Sequence, residues 1–104
     1  MNLKTYHLLI SGRVQGVGYR NFVLQLAHRQ GALGWVRNLT DGRVEVLLNC
    51  KTSEFTKLLL ILHEGPTSAL VSGIQQQELS NVLTLPAFHI QATSSRPWET
   101  TLNG

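Results

Sequence analysis

A chain of 104 residues holds one domain, because a single core organises roughly 100 to 200 residues, and with 42% hydrophobic and 14% charged residues it can bury a core instead of staying disordered. No apolar run reaches the roughly 20 residues of a membrane span and no signal-type segment follows Met1, so the sequence reads as cytoplasmic and free of the membrane. A net charge of +3 with seven scattered aromatics speaks against nucleic acid, which calls for a denser basic stripe with interleaved stacking residues, and the single Cys50 excludes an intrachain disulfide and a Cys-rich zinc site.

Tyr6, Leu8 and Ile10 alternate with His7, Leu9 and Ser11, which predicts a strand with one face on a core. Ser11 to Arg20 contains Gly12, Gly16 and Gly18 and reads as a tight loop. Asn21 is placed to cap a helix whose stripe is Phe22, Val23, Leu26 and Ala27, with Gly31 to end it. Gly34 to Asn38 and Arg43 to Asn49 are two alternating runs joined by Leu39, Thr40, Asp41 and Gly42, a β-hairpin. Thr52 or Ser53 can cap a second helix carrying Phe55, Leu58, Leu59 and Leu62, stopped by Gly65-Pro66. Leu60 and Ile61 widen its apolar face, for which deeper burial is the simplest account and a partner contact the alternative.

From Ser68 onward, Ala69 and Val71 keep one phase and Ile74 the other, predicting a strand with a bulge near Ser72-Gly73. Phe88 and Ile90 suggest a short last strand. Residues 92–104 lack any apolar period and read as a polar tail, extended or loose, attached to a domain over residues 1–91. The order β, α, β, β, α, β plus a terminal strand is the split βαβ pattern of a ferredoxin-like α+β sandwich, with two helices on one face of an antiparallel sheet. That architecture hosts many activities, so the loops must decide the function.

The charge is unevenly placed: residues 1–45 hold six Lys/Arg against Asp41 and Glu45, so the front half faces anions. There the loop Gln15-Gly16-Val17-Gly18-Tyr19-Arg20 runs into a helix N-terminus, where unpaired N–H groups and the positive end of the dipole favour an anion. Arg20 stands at the junction, where its planar fork can meet phosphate or carboxylate oxygens; the bland alternative is a surface arginine paired with a carboxylate. No Lys-Ser/Thr follows the glycines and no third glycine completes a dinucleotide fingerprint, so nucleotide binding has no support. The four histidines show no ligand spacing and Asp41 is the only aspartate, which leaves no expected metal site and no cofactor. Cys50 has no anion loop around it and reads as an idle thiol.

Two ordered blocks, Gly12-Arg13-Val14-Gln15-Gly16-Val17-Gly18-Tyr19-Arg20 and Gly34-Trp35-Val36-Arg37-Asn38 followed by Asp41-Gly42-Arg43-Val44-Glu45, carry a resemblance to the acylphosphatase family over about residues 4 to 91. The resemblance implies hydrolysis of the carboxyl-phosphate bond of acyl phosphates without metal or cofactor, releasing inorganic phosphate. It assigns phosphate binding to Arg20 and orientation of the attacking water to Asn38, whose bland alternative is a strand-end asparagine satisfying the turn; the charge spread over the phosphoryl oxygens should also meet the loop N–H groups from Gln15 to Arg20. Departures from the family pattern gather late, at Asn49-Cys50, Gln75-Gln76-Gln77 and Pro97-Trp98. A small-molecule substrate and a monomer are the expectation. Two rivals remain: a non-catalytic ferredoxin-like module binding an anion or RNA, and a fragment of a larger carbamoyl-phosphate-handling maturation enzyme. The start at Met1 and the lack of cysteine-rich zinc modules favour independence over the second.

Overall fold

The structure, a computed structural model, describes residues 2–99. Strand β1 (Leu3–Arg13) is followed by helix α1 (Tyr19–Gln30), strands β2 (Leu33–Asn38) and β3 (Val44–Lys51), helix α2 (Thr52–Glu64), strand β4 (Leu70–Glu78) and a two-residue β5 (His89–Ile90). They form one sheet in the order β4-β1-β3-β2-β5. The four long strands pair antiparallel, while β5 runs parallel to β2, so the sheet is mixed. Period-2 alternation aims Tyr6, Leu8 and Ile10 of β1 and Val44, Val46 and Leu48 of β3 at one face, where they pack with Val23, Leu26 and Ala27 of α1 and Leu58 and Leu62 of α2. This is the ferredoxin-like α+β sandwich. Among the described residues no helix is long and apolar enough to cross a membrane.

Several local expectations are revised. Helix α1 is capped by Gly18 in the left-handed conformation (φ 78°, ψ 15°) with no side-chain cap, and Asn21 lies exposed inside the first turn. The helix starts early because Tyr19 is buried at 1% exposure and its hydroxyl donates to the Leu62 carbonyl at 2.7 Å. Burial raises the phenol pKa, so it stays a donor. Neither Thr52 nor Ser53 caps α2: Lys51 is the extended N-cap residue, and the Thr52 N–H is satisfied by the Asn2 carbonyl at 2.9 Å. The bulge is where the phase change placed it, since Ser11 pairs with Gly73 and Gly12 with Val71, leaving Ser72 without a partner. On α2, Ile61 packs against the core but Leu60 stays 66% exposed, so deeper burial holds for one of the two.

The second face of the sheet is covered as well. Trp35, Leu47 and Leu79 form a smaller cluster with Leu83, Leu85 and Trp98 packed on it. Asn49 Nδ2 donates to the Leu83 carbonyl at 2.7 Å and the Leu83 N–H donates to Thr5 Oγ1 at 2.9 Å, so the connection after β4 is held there by buried polar groups. Residues 92–99 therefore are not loose: they lie against the fold. Residues 100–104 of the expected tail lie outside the described residues.

At the centre of this face stands Glu45, fully buried at 0% exposure. Its Oε1 accepts from Arg37 Nε at 2.7 Å, and its Oε2 accepts from His7 Nε2 at 2.7 Å and from the Trp98 N–H at 2.6 Å. Burial alone would raise its pKa, but these three bonds to the charged form outweigh it and leave the carboxyl below its ordinary value. A lowered folded-state pKa gives stability that is present above the unfolded value and is lost as the pH falls through the folded one. Glu45→Gln is thus expected to cost roughly 3 kcal/mol or more at pH 7, as for a broken buried pair, with the gap to wild type closing as the pH falls through the lowered folded-state value. Urea unfolding of both proteins across that range checks it; a gap independent of pH would remove the carboxylate charge as its source.

Candidate active site

The site is built on the turn between β1 and α1. Val14 is buried at 1% exposure and Val17 packs against the main core, so two apolar anchors hold the ends of a short arch. Between and after them Gly16 (φ 73°) and Gly18 (φ 78°) take left-handed conformations, and a Cβ at either would meet nothing within 4 Å. The glycines thus serve the backbone path, not a close approach. The first helical bond runs from the Phe22 N–H to the Gly18 carbonyl at 3.0 Å. Among the described residues, none of the N–H groups from Gln15 to Asn21 donates to a protein acceptor. Gly16, Gly18, Arg20 and Asn21 line a recess of about 270 Å³ whose apolar walls include Val14 and Ile90.

Four bonds fix this arch and the helix start to distant parts of the chain. Gln15 Nε2 donates to the carbonyls of Leu39 and Arg43, both at 2.8 Å, which ties the loop to the mouth of the β2–β3 hairpin. There the Leu39 N–H donates to the Arg43 carbonyl at 2.8 Å, so Gln15 clamps a closed turn. Ser68 Oγ donates to the Val17 carbonyl at 3.0 Å, and Tyr19 joins α1 to the last turn of α2. An arch held on three sides is preorganised, which is what binding of a compact anion needs.

Asn38 ends β2 on the same face as Val36, opposite Val44 of β3. Its Oδ1 is buried and has no hydrogen-bond partner among the described residues. Leaving a buried acceptor unpaired costs about 1–3 kcal/mol, so such an atom calls for an explanation. Asn38 is not in the recess wall; the Gln15 clamp on its neighbour Leu39 brings loop and strand end together. The reading of Asn38 as satisfying its own turn does not hold, because Asp41 does that work: its Oδ1 accepts from the Arg43 N–H at 3.1 Å.

Charge completes the picture. Arg37 pairs with Glu45 and Arg43 with Asp41, whereas Arg20 has no ion-pair partner among the described residues. The pairing of Arg20 with a carboxylate, its bland alternative, is therefore not seen. No group of three or more His, Cys, Asp or Glu among the described residues could hold a metal ion. The Cys50 thiol is pushed up to about 11, chiefly by burial and then by Glu54, which makes it a poor nucleophile. A larger recess of about 550 Å³ on the opposite face, between β4 and residues 97–99, has Glu99 and no Lys or Arg in its wall and does not suit an anion.

The family model for acylphosphatase matches residues 6–90. The chain belongs to the acylphosphatase family. It is 46% identical over 79 residues to the acylphosphatase of Marinobacter nauticus, covering 76% of this chain and 86% of that protein. Its fold superposes on the crystal structure of acylphosphatase from Bacillus subtilis with a TM-score of 0.81 and 32% identity, covering 86% of this chain and 99% of that one. An acylphosphatase structure from Coxiella burnetii gives 0.81 and 33% over the same 86% of this chain and 94% of that one.

In this acylphosphatase-family chain the sequence-expected residues have different parts. Gly16, Gly18, Tyr19 and Arg20 border the recess; Val17 is an anchor; the Gln15 side chain is a clamp, leaving only its N–H for an anion. Asn21, Ser68 and Ile90 were missed. Asn21 was read as a cap instead of a first-turn N–H, and Ile90 and Ser68 reach the site only through tertiary contacts that carry no local pattern.

Proposed function

We propose that this chain hydrolyses acyl phosphates to a carboxylate and inorganic phosphate, with the N–H groups of Gln15 to Arg20 and the Arg20 guanidinium holding the phosphoryl group and Asn38 aiming the water. The water oxygen forms a bond to phosphorus and gives up a proton to a phosphoryl oxygen, the bond from phosphorus to the carboxylate oxygen breaks, and that electron pair leaves on the carboxylate, so the products are a carboxylate and dihydrogen phosphate. This leaving group is stable as an anion at neutral pH, so no general acid is needed, and positioning with charge stabilisation suffices. Charge spread over the phosphoryl oxygens is met by the guanidinium fork and by donors at a helix N-terminus. The Asn38 amide does not titrate, but its carbonyl oxygen accepts a hydrogen bond from water.

The observation that carries this reading is the row of N–H groups and the Arg20 guanidinium left without protein acceptors among the described residues, beside one recess. A non-catalytic anion module would share the cradle; the Asn38 Oδ1, buried and without a partner among the described residues, supports a further task for that residue. We read the protein as a cytoplasmic monomer whose acylphosphatase-like domain is residues 1–91, acting on small molecules and not on nucleic acid.

Benzoyl phosphate is expected to release phosphate at an undiminished rate with a chelator present, because protein donors supply the charge. Simple phosphate monoesters should turn over far more slowly, since their alkoxide leaving groups need an acid. Activity that vanishes with the chelator and returns with Mg²⁺ would refute the reading; phosphate binding without turnover would favour the non-catalytic module.

A further inference from the structure

The family match ends at residue 90, but the chain continues along the fold. The Gln91 N–H donates to the Val36 carbonyl at 2.8 Å, the Ser94 N–H to the Asn38 carbonyl at 3.1 Å, and the Thr40 N–H to the Ser94 carbonyl at 3.0 Å. Leu39 and Ser94 form a parallel bridge. Ser94 Oγ then donates to the Arg96 carbonyl at 2.8 Å and accepts from the Arg96 N–H at 3.2 Å, which turns the chain over the second face of the sheet. There the Trp98 N–H ends on Glu45 at 2.6 Å, and the Trp98 ring lies 5.5 Å from the His7 ring.

This path encloses Asn38. One side of its backbone is held by β3 through the pairing with Val44, and the other by Ser94. Arg37, the residue before it, is tied to the same Glu45 carboxylate that receives Trp98. Since Asn38 Oδ1 has no partner among the described residues, no hydrogen bond to that oxygen fixes its direction. Its aim depends on where the backbone stands. An attack in line on phosphorus tolerates little misplacement, a 1 Å error costing on the order of 10² in rate.

We infer that residues 91–98 form a strap that positions Asn38 for the hydrolysis, with Ser94 as the positioning residue on the strand and Glu45 as the fastening. The inference rests on the proposed role of Asn38. The strap bonds to β2, to the hairpin and to Glu45, and to none of Gly16, Gly18, Arg20 or Asn21. Its loss should therefore lower turnover and spare the grip on phosphate.

Ser94→Pro removes the N–H that Asn38 accepts, and Ser94→Ala keeps it. With benzoyl phosphate, Ser94→Pro is expected to lower kcat roughly tenfold, on the scale of one lost hydrogen bond, with KM and the stabilisation by inorganic phosphate unchanged. Ser94→Ala should recover most of that turnover. In an Asn38→Ala background, Ser94→Pro should add little, because two changes acting through one group are not additive. A chain ending at Gln91 should repeat the split between kcat and phosphate binding, and it decides the matter where Ser94→Pro does not fold. Full kcat in both Ser94→Pro and the shortened chain, a loss of phosphate affinity equal to the loss of kcat, or a full additive loss in the Asn38→Ala background would overturn the strap. A wild type without turnover would instead refute the hydrolase reading itself.

Discussion

Arg20→Lys is expected to lower the turnover of benzoyl phosphate by roughly 10² or more, on the scale of losing a transition-state donor. Lysine keeps the positive charge but loses the planar fork that meets two phosphate oxygens at once. The fold should be indifferent to the change. The Arg20 side chain makes no hydrogen bond or ion pair among the described residues, and the helix start is held by Tyr19 and Gly18 instead. Inorganic phosphate should raise the melting temperature of the wild type by mass action and raise that of the variant less. A folded Arg20→Lys protein with near-normal kcat would reject Arg20 as the phosphate clamp.

Asn38→Ala should separate binding from chemistry. Phosphate protection against unfolding is expected to survive, and kcat to fall by about two orders of magnitude, since a water no longer aimed at phosphorus forfeits much of the orientation advantage. The structure makes stability informative here. Removing a buried oxygen that has no partner among the described residues takes away an unpaid desolvation cost, so the melting temperature should hold or rise. Activity lost together with stability would point to a structural role, and phosphate affinity lost in step with kcat would move Asn38 into the phosphate cradle.

The loop on which the proposed site rests was readable in outline because its parts are local. Gly16 and Gly18 announce left-handed backbone, and a loop that leads into an apolar helical stripe announces a row of unpaired N–H groups. The order of elements followed from periodicity in the same way, and so did the bulge at Ser72, where a phase change in the apolar pattern sits next to a glycine. These features depend on neighbours within a few residues.

The helix start shows where that stops. By local propensity Asn21 is the better cap, yet the core takes Tyr19 and moves the start to Gly18, adding Asn21 to the first-turn N–H groups. Glu45 left one trace, a lone carboxylate inside the apolar run Val44 to Leu47, but its three donors come from β1, β2 and residue 98. Trp98 stood out as an aromatic in a polar stretch without any sign of its destination.

The sequence by itself determined the order of the elements and the glycine-marked loop that leads into a helix, since φ/ψ preference and hydrophobic period act over short stretches of chain; the roles proposed for Arg20 and Asn38 come from the family resemblance. Only the tertiary structure decided that Gln15 clamps the hairpin, that Arg20 alone of Arg20, Arg37 and Arg43 is without a carboxylate among the described residues, and that residues 91–98 close around Asn38. The first and last of these are pairings between groups 24 to 56 residues apart, and no period in the chain encodes them; they are settled when the sheet brings buried donors and acceptors together and each must find a partner.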